Sequence, residues 1–523
     1  MSRLEKSAKN ISFTTGSNIL ESILGIISRT VFISTLGSEY LGLAGLLNNV
    51  LGFLSISELG ISTAIGFSLY KPLAEKNYTS ISSLMSLYRK AYCIIASIVL
   101  VCGIGLYFFL DFFVPPQNQP PETTLAYFVF LSTTVLGYLL SYKTTLLNSD
   151  NRSYRLSLLN IVVVIIQFLV QIPCLYLTRS YTVYLGVLLF FAVIRMLLSN
   201  RLITRWYPQV DFYSREKLDQ ATNHQIKRNI GGLVFAKIGD YLVNSTDNLI
   251  ITKLVSLTAT GIYSNYLMIR NMVNGYISVL FNGISASMGN VVAVESDERK
   301  LEIFETLMFC AYFIYSFEAV CFMCLFNSFI GDVWLGAEYT FDAFTVAIIV
   351  INNYLTGLRI PLITMKGAAG KHMEDAWLPF AFAAINLITS IILAKYMGVA
   401  GVFMGTIIGS LLTADWYRPI VIYKHVFHTS VANYYKRYVL FVGLGFALIT
   451  ATFALTSLIH TPYAVVTFVL KGFLAAASTL LVNSLLFWRT KEFHTIRSMF
   501  FRLFSEIRNK IDTVIRRSNG EIS

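Results

Sequence analysis

The stretch that decides the fold runs from Asn229 to Ser256 and reads NIGGLVFAKIGDYLVNSTDNLIITKLVS. It is long and apolar enough to cross a bilayer as a helix, which needs about 20 mostly apolar residues. Polar side chains recur in it at steps of three and four and share one helix face: Lys237, Asp240, Asn244, Asp247 and Asn248. Because charges are costly in hydrocarbon, this face predicts a water-filled cavity. The alternative is a hydrogen-bonded seam that only joins helices.

The composition indicates an all-α polytopic membrane protein. The chain has 523 residues, of which 55% are hydrophobic and 13% charged, whereas soluble domains carry about 25% charged residues. No alternating barrel pattern is present, which leaves helices as the spanning structure. The net charge of +12 lies in short loops, so it indicates cytoplasmic retention of Lys and Arg, with no nucleic-acid partner.

Neither a cofactor nor a metal site is predicted, and no enzyme activity. Cys321 and Cys324 form a CxxC inside a predicted span without a nearby His, so we interpret them as packing residues. Met1 to Asn10 is polar and basic, and the apolar segment that follows is too long for a cleavable signal peptide.

Hydropathy predicts about fourteen transmembrane helices. Their approximate limits are 11–36, 42–69, 86–113, 124–147, 156–177, 183–200, 230–256, 262–290, 303–330, 341–365, 377–398, 400–420, 436–458 and 463–487. The predicted organisation is an N-lobe at 1–200, a cytoplasmic basic linker at 201–229, a C-lobe at 230–420, two C-terminal helices at 421–487 and a tail at 488–523. Basic residues mark alternate loops, which places both termini in the cytoplasm. Apolar residues at helical spacing among Arg and Lys predict an amphipathic, membrane-surface helix in the tail.

The two lobes are related by a weak internal repeat. Gly42 aligns with Gly261 at a shift of 261 − 42 = 219, and the same shift carries Glu21 onto Asp240. Later matches, such as Tyr138 with Tyr354, have nearly the same spacing. About six spans per half predict two lobes around a central cavity, related by a pseudo-two-fold axis along the membrane normal.

Charged and polar residues at membrane depth are the candidate site. The cavity cations Arg29, Arg270 and Arg359, with Lys237, are predicted to bind phosphate or pyrophosphate, because guanidinium groups hold phosphate through paired hydrogen bonds. Ion-coupling or ion-pair candidates are Glu21, Asp240 and Asp247, and the predicted polar lining is Asn244, Asn271 and Asn274. Pro361 follows Arg359 and is expected to loosen the helix there.

Two motifs carry a resemblance to a known family. One is Glu58-Leu59-Gly60-Ile61-Ser62-Thr63-Ala64. The other is Asp247-Asn248-Leu249-Ile250-Ile251, followed by Gly261-Ile262-Tyr263-Ser264. With the span count and the two halves, the chain resembles Wzx-type lipid-linked oligosaccharide flippases of the multidrug/oligosaccharidyl-lipid/polysaccharide exporter superfamily.

The resemblance implies a location and a substrate. It implies a bacterial cytoplasmic (inner) membrane protein that moves an undecaprenyl-pyrophosphate-linked oligosaccharide to the outer leaflet for capsule, O-antigen or exopolysaccharide assembly. Its implied partners are this lipid-linked substrate, membrane lipids, and a polysaccharide polymerase with export machinery.

Two alternatives remain open from the sequence. A multidrug exporter of the same superfamily, coupled to sodium ions or protons, would use an acidic lumen, which Glu21 and Asp240 allow and the arginines oppose. A membrane glycosyltransferase or polymerase would need acid/base residues on a sizeable outer loop. The predicted outer loops are short, and His460 is the only histidine on them.

Overall fold

The computed structural model describes residues 3–52, 54, 61–150, 152–215, 246–369, 374–375, 377–495 and 497–498. In these ranges the chain is almost entirely helical and contains no β-strand. The helices before the basic linker are α1 (Arg3–Leu36), α2 (Ser38–Gly52), α3 (Ile61–Glu75), α4 (Tyr78–Tyr107), the short α5 (Leu110–Phe113), α6 (Thr123–Ser149), α7 (Ser153–Thr178) and α8 (Tyr181–Trp206).

After the linker, residues 246–254 form α9. The remaining helices are α10 (Leu257–Val294), α11 (Asp297–Asn327), α12 (Ala343–Leu358), α13 (Ile360–Ala368), α14 (Leu378–Leu412), α15 (Ala414–Ile422), α16 (Ala432–Thr456) and α17 (Ala464–Phe487). α14 bends sharply at Gly398, where a positive φ of 56° divides it into two arms. The bend falls at the boundary between the predicted spans 377–398 and 400–420. The first arm of α14 corresponds to the first span, and its second arm with α15 corresponds to the second.

The described residues include ten segments that are long and apolar enough to cross a membrane. The predicted all-helical, multi-pass fold is therefore confirmed. One of the ten, Leu378–Phe427, holds two predicted spans. Of the predicted span 42–69, residues 42–52 belong to α2 and residues 61–69 to α3, and most of the residues between them lie outside the described ones. Most of span 230–256 and of the tail helix lies outside the described residues.

The starts of α4 and α11, one in each half, are capped at positions that the repeat aligns. The Asn77 side chain accepts a hydrogen bond from the Ser80 N–H at 3.0 Å and caps α4. Ser296 caps α11 through the Arg299 N–H, and 296 − 77 = 219, the shift found in the sequence. Side-chain oxygens satisfy the free N–H groups of a first turn, so each cap sets where its helix begins. The two halves therefore share this helix start as well as aligned residues.

Contacts divide the chain into two compact units that do not coincide with the predicted lobes. The first unit is Met1–Tyr276 with Ala376–Gly409, and the second is Ile277–Asp375 with Ser410–Ser523. In the first unit, α1 packs along α7, and α6 packs against α4 and α8. In the second unit, α11 packs against α12, α16 and α17. The division into lobes at 1–200 and 230–420 stays a prediction.

Candidate functional site

A cleft of about 350 Å³, with a few polar side chains among mostly apolar ones, lies between α1 and α10 in the first unit. Its walls are Asn18, Glu21, Ser22, Gly25 and Ile26 from α1, and Met268, Ile269, Asn271, Met272, Gly275 and Tyr276 from α10. The structure thus brings two predicted site residues, Glu21 and Asn271, to one cleft, although they are far apart in the chain.

The polar groups of this cleft are accessible. Glu21, Asn18 and Asn271 are all exposed, and the Glu21 carboxylate accepts a hydrogen bond from the Ser17 hydroxyl at 3.1 Å. A carboxylate beside two amides can accept hydrogen bonds from sugar hydroxyls or bind a cation, and the amides can also donate. The cleft can therefore hold a polar, hydroxyl-rich or cationic group.

Arg29 links the two walls beyond the cleft. It lies about two turns along α1 from Glu21, and its Nη2 donates a hydrogen bond to the Ser264 hydroxyl on α10. The Arg29 Nε is buried and has no hydrogen-bond partner among the described residues. Buried donors are normally satisfied, so this N–H is an exception in the described part of the chain.

A symmetric glycine crossing lies close to the Arg29–Ser264 contact. A Cβ at Gly42 on α2 would lie 2.1 Å from the Leu257 carbonyl oxygen, and a Cβ at Gly261 on α10 would lie 2.2 Å from the Ser38 oxygen. Both pairs are related by the repeat, since 257 − 38 and 261 − 42 are both 219. Reciprocal contacts between equivalent residues occur only on a two-fold axis. The crossing therefore marks the pseudo-two-fold axis between α2 and α10.

Asp247 belongs to a second polar group in the first unit. Its Oδ1 accepts a hydrogen bond from the Thr406 hydroxyl at 3.3 Å, and Thr406 accepts one from the buried Asn386 amide at 2.7 Å. Asp247 also lies within Coulombic reach of Arg270. Arg270 is half-buried, and its Nη2 lies 3.4 Å from the Asn271 Oδ1. This group joins α9, α10 and α14 and connects Arg270 to the cleft residue Asn271.

Arg359 lies in the second unit, in an ion pair that the sequence did not predict. It occupies the break between α12 and α13, just before Pro361. Its Nε is 3.5 Å from the Asp415 Oδ1, and its Nη2 donates to the Thr356 hydroxyl at 2.7 Å. Arg359 is 9% exposed and Asp415 3% exposed, so this cation already has a buried counter-ion.

A further buried carboxylate in the second unit pairs with two cations from different parts of the chain. The Oδ1 of Asp375 is 2.5 Å from Lys366 Nζ, and its Oδ2 is 3.3 Å from Arg418 Nε. Asp375 is 1% exposed. Neither Asp375 nor Asp415 is predicted from the sequence. The only signal in the sequence was their position beside apolar spans, because the partners of each lie elsewhere in the chain.

Lys143 occupies the position in the first half that corresponds to Arg359, at a shift of 359 − 143 = 216. It is 4% exposed, and its Nζ donates to the Thr204 hydroxyl at 2.6 Å. The ammonium also lies 4.5 Å from the centre of the Phe212 ring. Both cations thus reach from the fourth helix of their repeat to the end of its sixth, but Lys143 is held by neutral groups.

Several predicted residues remain untested. Lys237, Asp240 and Asn244 lie outside the described residues. Asn274 lies on α10 and is half-exposed. The predicted roles of the site residues in substrate binding and ion coupling stay predictions.

Comparison with known proteins identifies the family. The profile of the family described as "Polysaccharide biosynthesis protein" matches residues 7–284, more than half of the chain. The chain belongs to the polysaccharide biosynthesis protein family. No curated protein sequence matches this family member.

Solved structures show the same fold at low sequence identity. The chain is similar to the structure entitled "Lipid II flippase MurJ, inward closed conformation", with 13% identity, a TM-score of 0.60, and coverage of 91% of this chain and 99% of that one. It is also similar to an inward-facing MATE family transporter of the MOP superfamily, with 13% identity, a TM-score of 0.57, and coverage of 79% and 98%. A mutant of the Vibrio cholerae MATE transporter VcmN gives 11% identity, a TM-score of 0.53, and coverage of 82% and 98%.

These comparisons agree with the resemblance read from the sequence. The family match makes this chain a polysaccharide biosynthesis protein, and the structural matches show that it shares its multi-pass helical fold with a lipid II flippase and with MATE transporters.

Proposed function

We propose that this protein flips an undecaprenyl-pyrophosphate-linked oligosaccharide repeat unit from the inner to the outer leaflet, for capsule, O-antigen or exopolysaccharide assembly. The observation that carries the proposal is the α1–α10 cleft, where exposed Glu21, Asn18 and Asn271 stand among apolar side chains in a member of a polysaccharide biosynthesis family. The fold likeness to a lipid II flippase supports a lipid-linked substrate.

The residues of the cleft suit a sugar-bearing headgroup. In this proposal Glu21, Asn18 and Asn271 hydrogen-bond to sugar hydroxyls, and Arg29 and Arg270 attract the pyrophosphate through guanidinium N–H groups. The polyprenyl chain stays in the lipid. Lys237, Asp240 and Asp247 keep their predicted roles as an additional cation and as ion-coupling candidates. We assign Arg359 to structure, because releasing it would leave the Asp415 carboxylate buried without a counter-ion.

Alternating access would proceed by separation of repeat-related helices. The Arg29–Ser264 hydrogen bond and the Gly42–Gly261 crossing hold α1, α2 and α10 together beyond the cleft. Breaking the hydrogen bond and separating the two glycines would part these helices beyond the cleft. The proposed setting is the bacterial cytoplasmic membrane with both termini inside, in cooperation with a polymerase and export machinery.

Gene deletion tests the proposal. We expect deletion to remove the surface polysaccharide and to leave one lipid-linked glycan on the inner leaflet, identified by mass spectrometry of extracted lipids. Arg270→Ala should fail to restore the polysaccharide, whereas Lys90→Gln, which changes an exposed lysine far from the cleft in the chain, should restore it. Unchanged surface polysaccharide and no accumulated lipid would refute the proposal.

The second candidate is export of organic cations in exchange for sodium ions or protons. The exposed Glu21 carboxylate in the cleft favours it. A dye-efflux assay separates the two functions. Gradient-dependent efflux of a cationic dye that is lost in Glu21→Gln, without any effect of deletion on polysaccharide, would support the exporter.

A further inference from the structure

A second, larger cleft opens at another place in the first unit, where α3 meets α4, α6 meets α7, and α8 ends. Its volume is about 1050 Å³. Its lining includes five cations, namely Lys71, Lys76, Arg152, Arg155 and Arg205. Asp150 is the only carboxylate in this lining. We call this the basic cleft.

The single carboxylate of the basic cleft is already engaged. Asp150 Oδ2 lies 2.8 Å from the Nε of Arg152 and accepts a hydrogen bond from the Tyr207 hydroxyl at 2.7 Å. Burial, together with this hydrogen bond, raises the pKa of Tyr207, so Tyr207 remains a donor at neutral pH. Asp150 thus orients Arg152. Lys71 Nζ lies 4.0 Å from the Glu75 carboxylate, which does not line the cleft. Lys76, Arg155 and Arg205 face the cleft without a second lining acid.

Aromatic side chains stand among these cations. Trp206, Tyr70 and Tyr78 line the cleft, and the Arg155 guanidinium lies 5.4 Å from the centre of the Trp206 ring. Trp and Tyr are enriched where a membrane protein meets lipid headgroups. Charge retention in cytoplasmic loops accounts for basic residues at this end, but it requires neither a cavity nor aromatic walls.

An exposed apolar face leads along α7 to the basic cleft. Starting from Arg155 at helical spacing, Leu158, Val162, Ile165 and Leu169 are all exposed. On α8, Leu198 is exposed two turns before Arg205. Exposed apolar side chains on a membrane helix contact acyl chains. A ligand with its phosphate in the cleft would therefore have its tails along α7.

We propose that the basic cleft binds the phosphate headgroup of an anionic membrane lipid, with the acyl chains lying along the exposed face of α7. Arg155 and Arg205 would contact the phosphate oxygens, since guanidinium groups form paired hydrogen bonds with phosphate. The cleft is distinct from the α1–α10 cleft, and lipid binding there does not depend on which substrate is transported.

The test is native mass spectrometry of the purified full-length protein with cardiolipin, and with phosphatidylcholine as the zwitterionic reference. We expect retained cardiolipin adducts on the wild type. The double variant Arg155→Gln, Arg205→Gln should weaken cardiolipin binding roughly tenfold or more, from the loss of charge-assisted hydrogen bonds. The matched control is Lys90→Gln, Arg489→Gln, which removes two exposed cations that do not line the cleft.

Three outcomes would overturn the proposal. Equal binding of cardiolipin and phosphatidylcholine would show that the cleft does not recognise an anionic headgroup. An equal loss of cardiolipin binding in the control variant would show that the net charge of the protein causes the loss, and not the basic cleft. Displacement of cardiolipin by glycerol 3-phosphate at comparable concentration would assign the cleft to a soluble phosphate compound. Matching thermal unfolding temperatures of the two double variants would exclude misfolding as the cause of a selective loss.

Discussion

Replacing Gly42 by Ala should open the glycine crossing between α2 and α10. The added Cβ would lie 2.1 Å from the Leu257 carbonyl oxygen, whereas close carbon–oxygen contacts are normally about 3.3 Å. The obstructing atom belongs to the backbone, so no side chain can rotate away. The two helices must therefore separate by about 1 Å at this point.

Overpacking of this kind costs about 1–3 kcal/mol. If the whole cost falls on the closed state, the equilibrium between closed and open crossings shifts by roughly 5- to 150-fold toward open. Alanine also favours helix over glycine by about 1 kcal/mol. Gly45→Ala is the matched control. It gives α2 the same gain in helix propensity, but its Cβ would meet nothing closer than 3.9 Å.

The assay is maleimide labelling of a single cysteine at Thr260, in a background without the native cysteines. Thr260 is 0% exposed and adjoins Gly261. Labelling should be faster in Gly42→Ala and in its repeat mate Gly261→Ala, and unchanged in Gly45→Ala. If Gly42→Ala labels at the wild-type rate, or if Gly45→Ala labels as fast, the crossing does not control access to this end.

Three further predictions concern the charged residues, each measured on purified protein. Arg359→Met and Asp415→Asn should each lower stability by about 3–5 kcal/mol, and the double variant should recover much of this; additive losses in thermal unfolding would exclude the ion pair. Lys143→Met should cost less, about 1–3 kcal/mol, since neutral groups hold Lys143; a loss as large as that of Arg359→Met would contradict this. Glu21→Gln should change stability by less than about 0.5 kcal/mol but reduce transport; wild-type transport would remove Glu21 from the site.

Periodicity and the repeat were sufficient to predict much of the fold. Gly42 and Gly261 were aligned from sequence alone, and the structure places them against each other. The alignment makes the two glycines equivalent, and the structure adds that they are in contact.

Pairing between distant side chains was harder to predict. Unusual charges in apolar segments marked Arg29 and Arg359 as candidates, but that signal is the same for a ligand-binding arginine and a paired one. Only the fold shows that Asp415 faces Arg359, whereas Arg29 contacts the neutral Ser264. The basic cleft was missed for a related reason, since its cations come from separate loops and resemble ordinary cytoplasmic charge.

Flipping of a lipid-linked oligosaccharide by the purified protein is the most direct test of the proposed function. The protein would be reconstituted in vesicles with the undecaprenyl-pyrophosphate-linked glycan that accumulates in the deletion strain. The fraction of glycan reached by a membrane-impermeant glycan-cleaving reagent would be followed over time. We predict protein-dependent exchange between leaflets that is lost in Arg270→Ala and kept in Lys90→Gln. Exchange no faster than in protein-free vesicles would contradict the account.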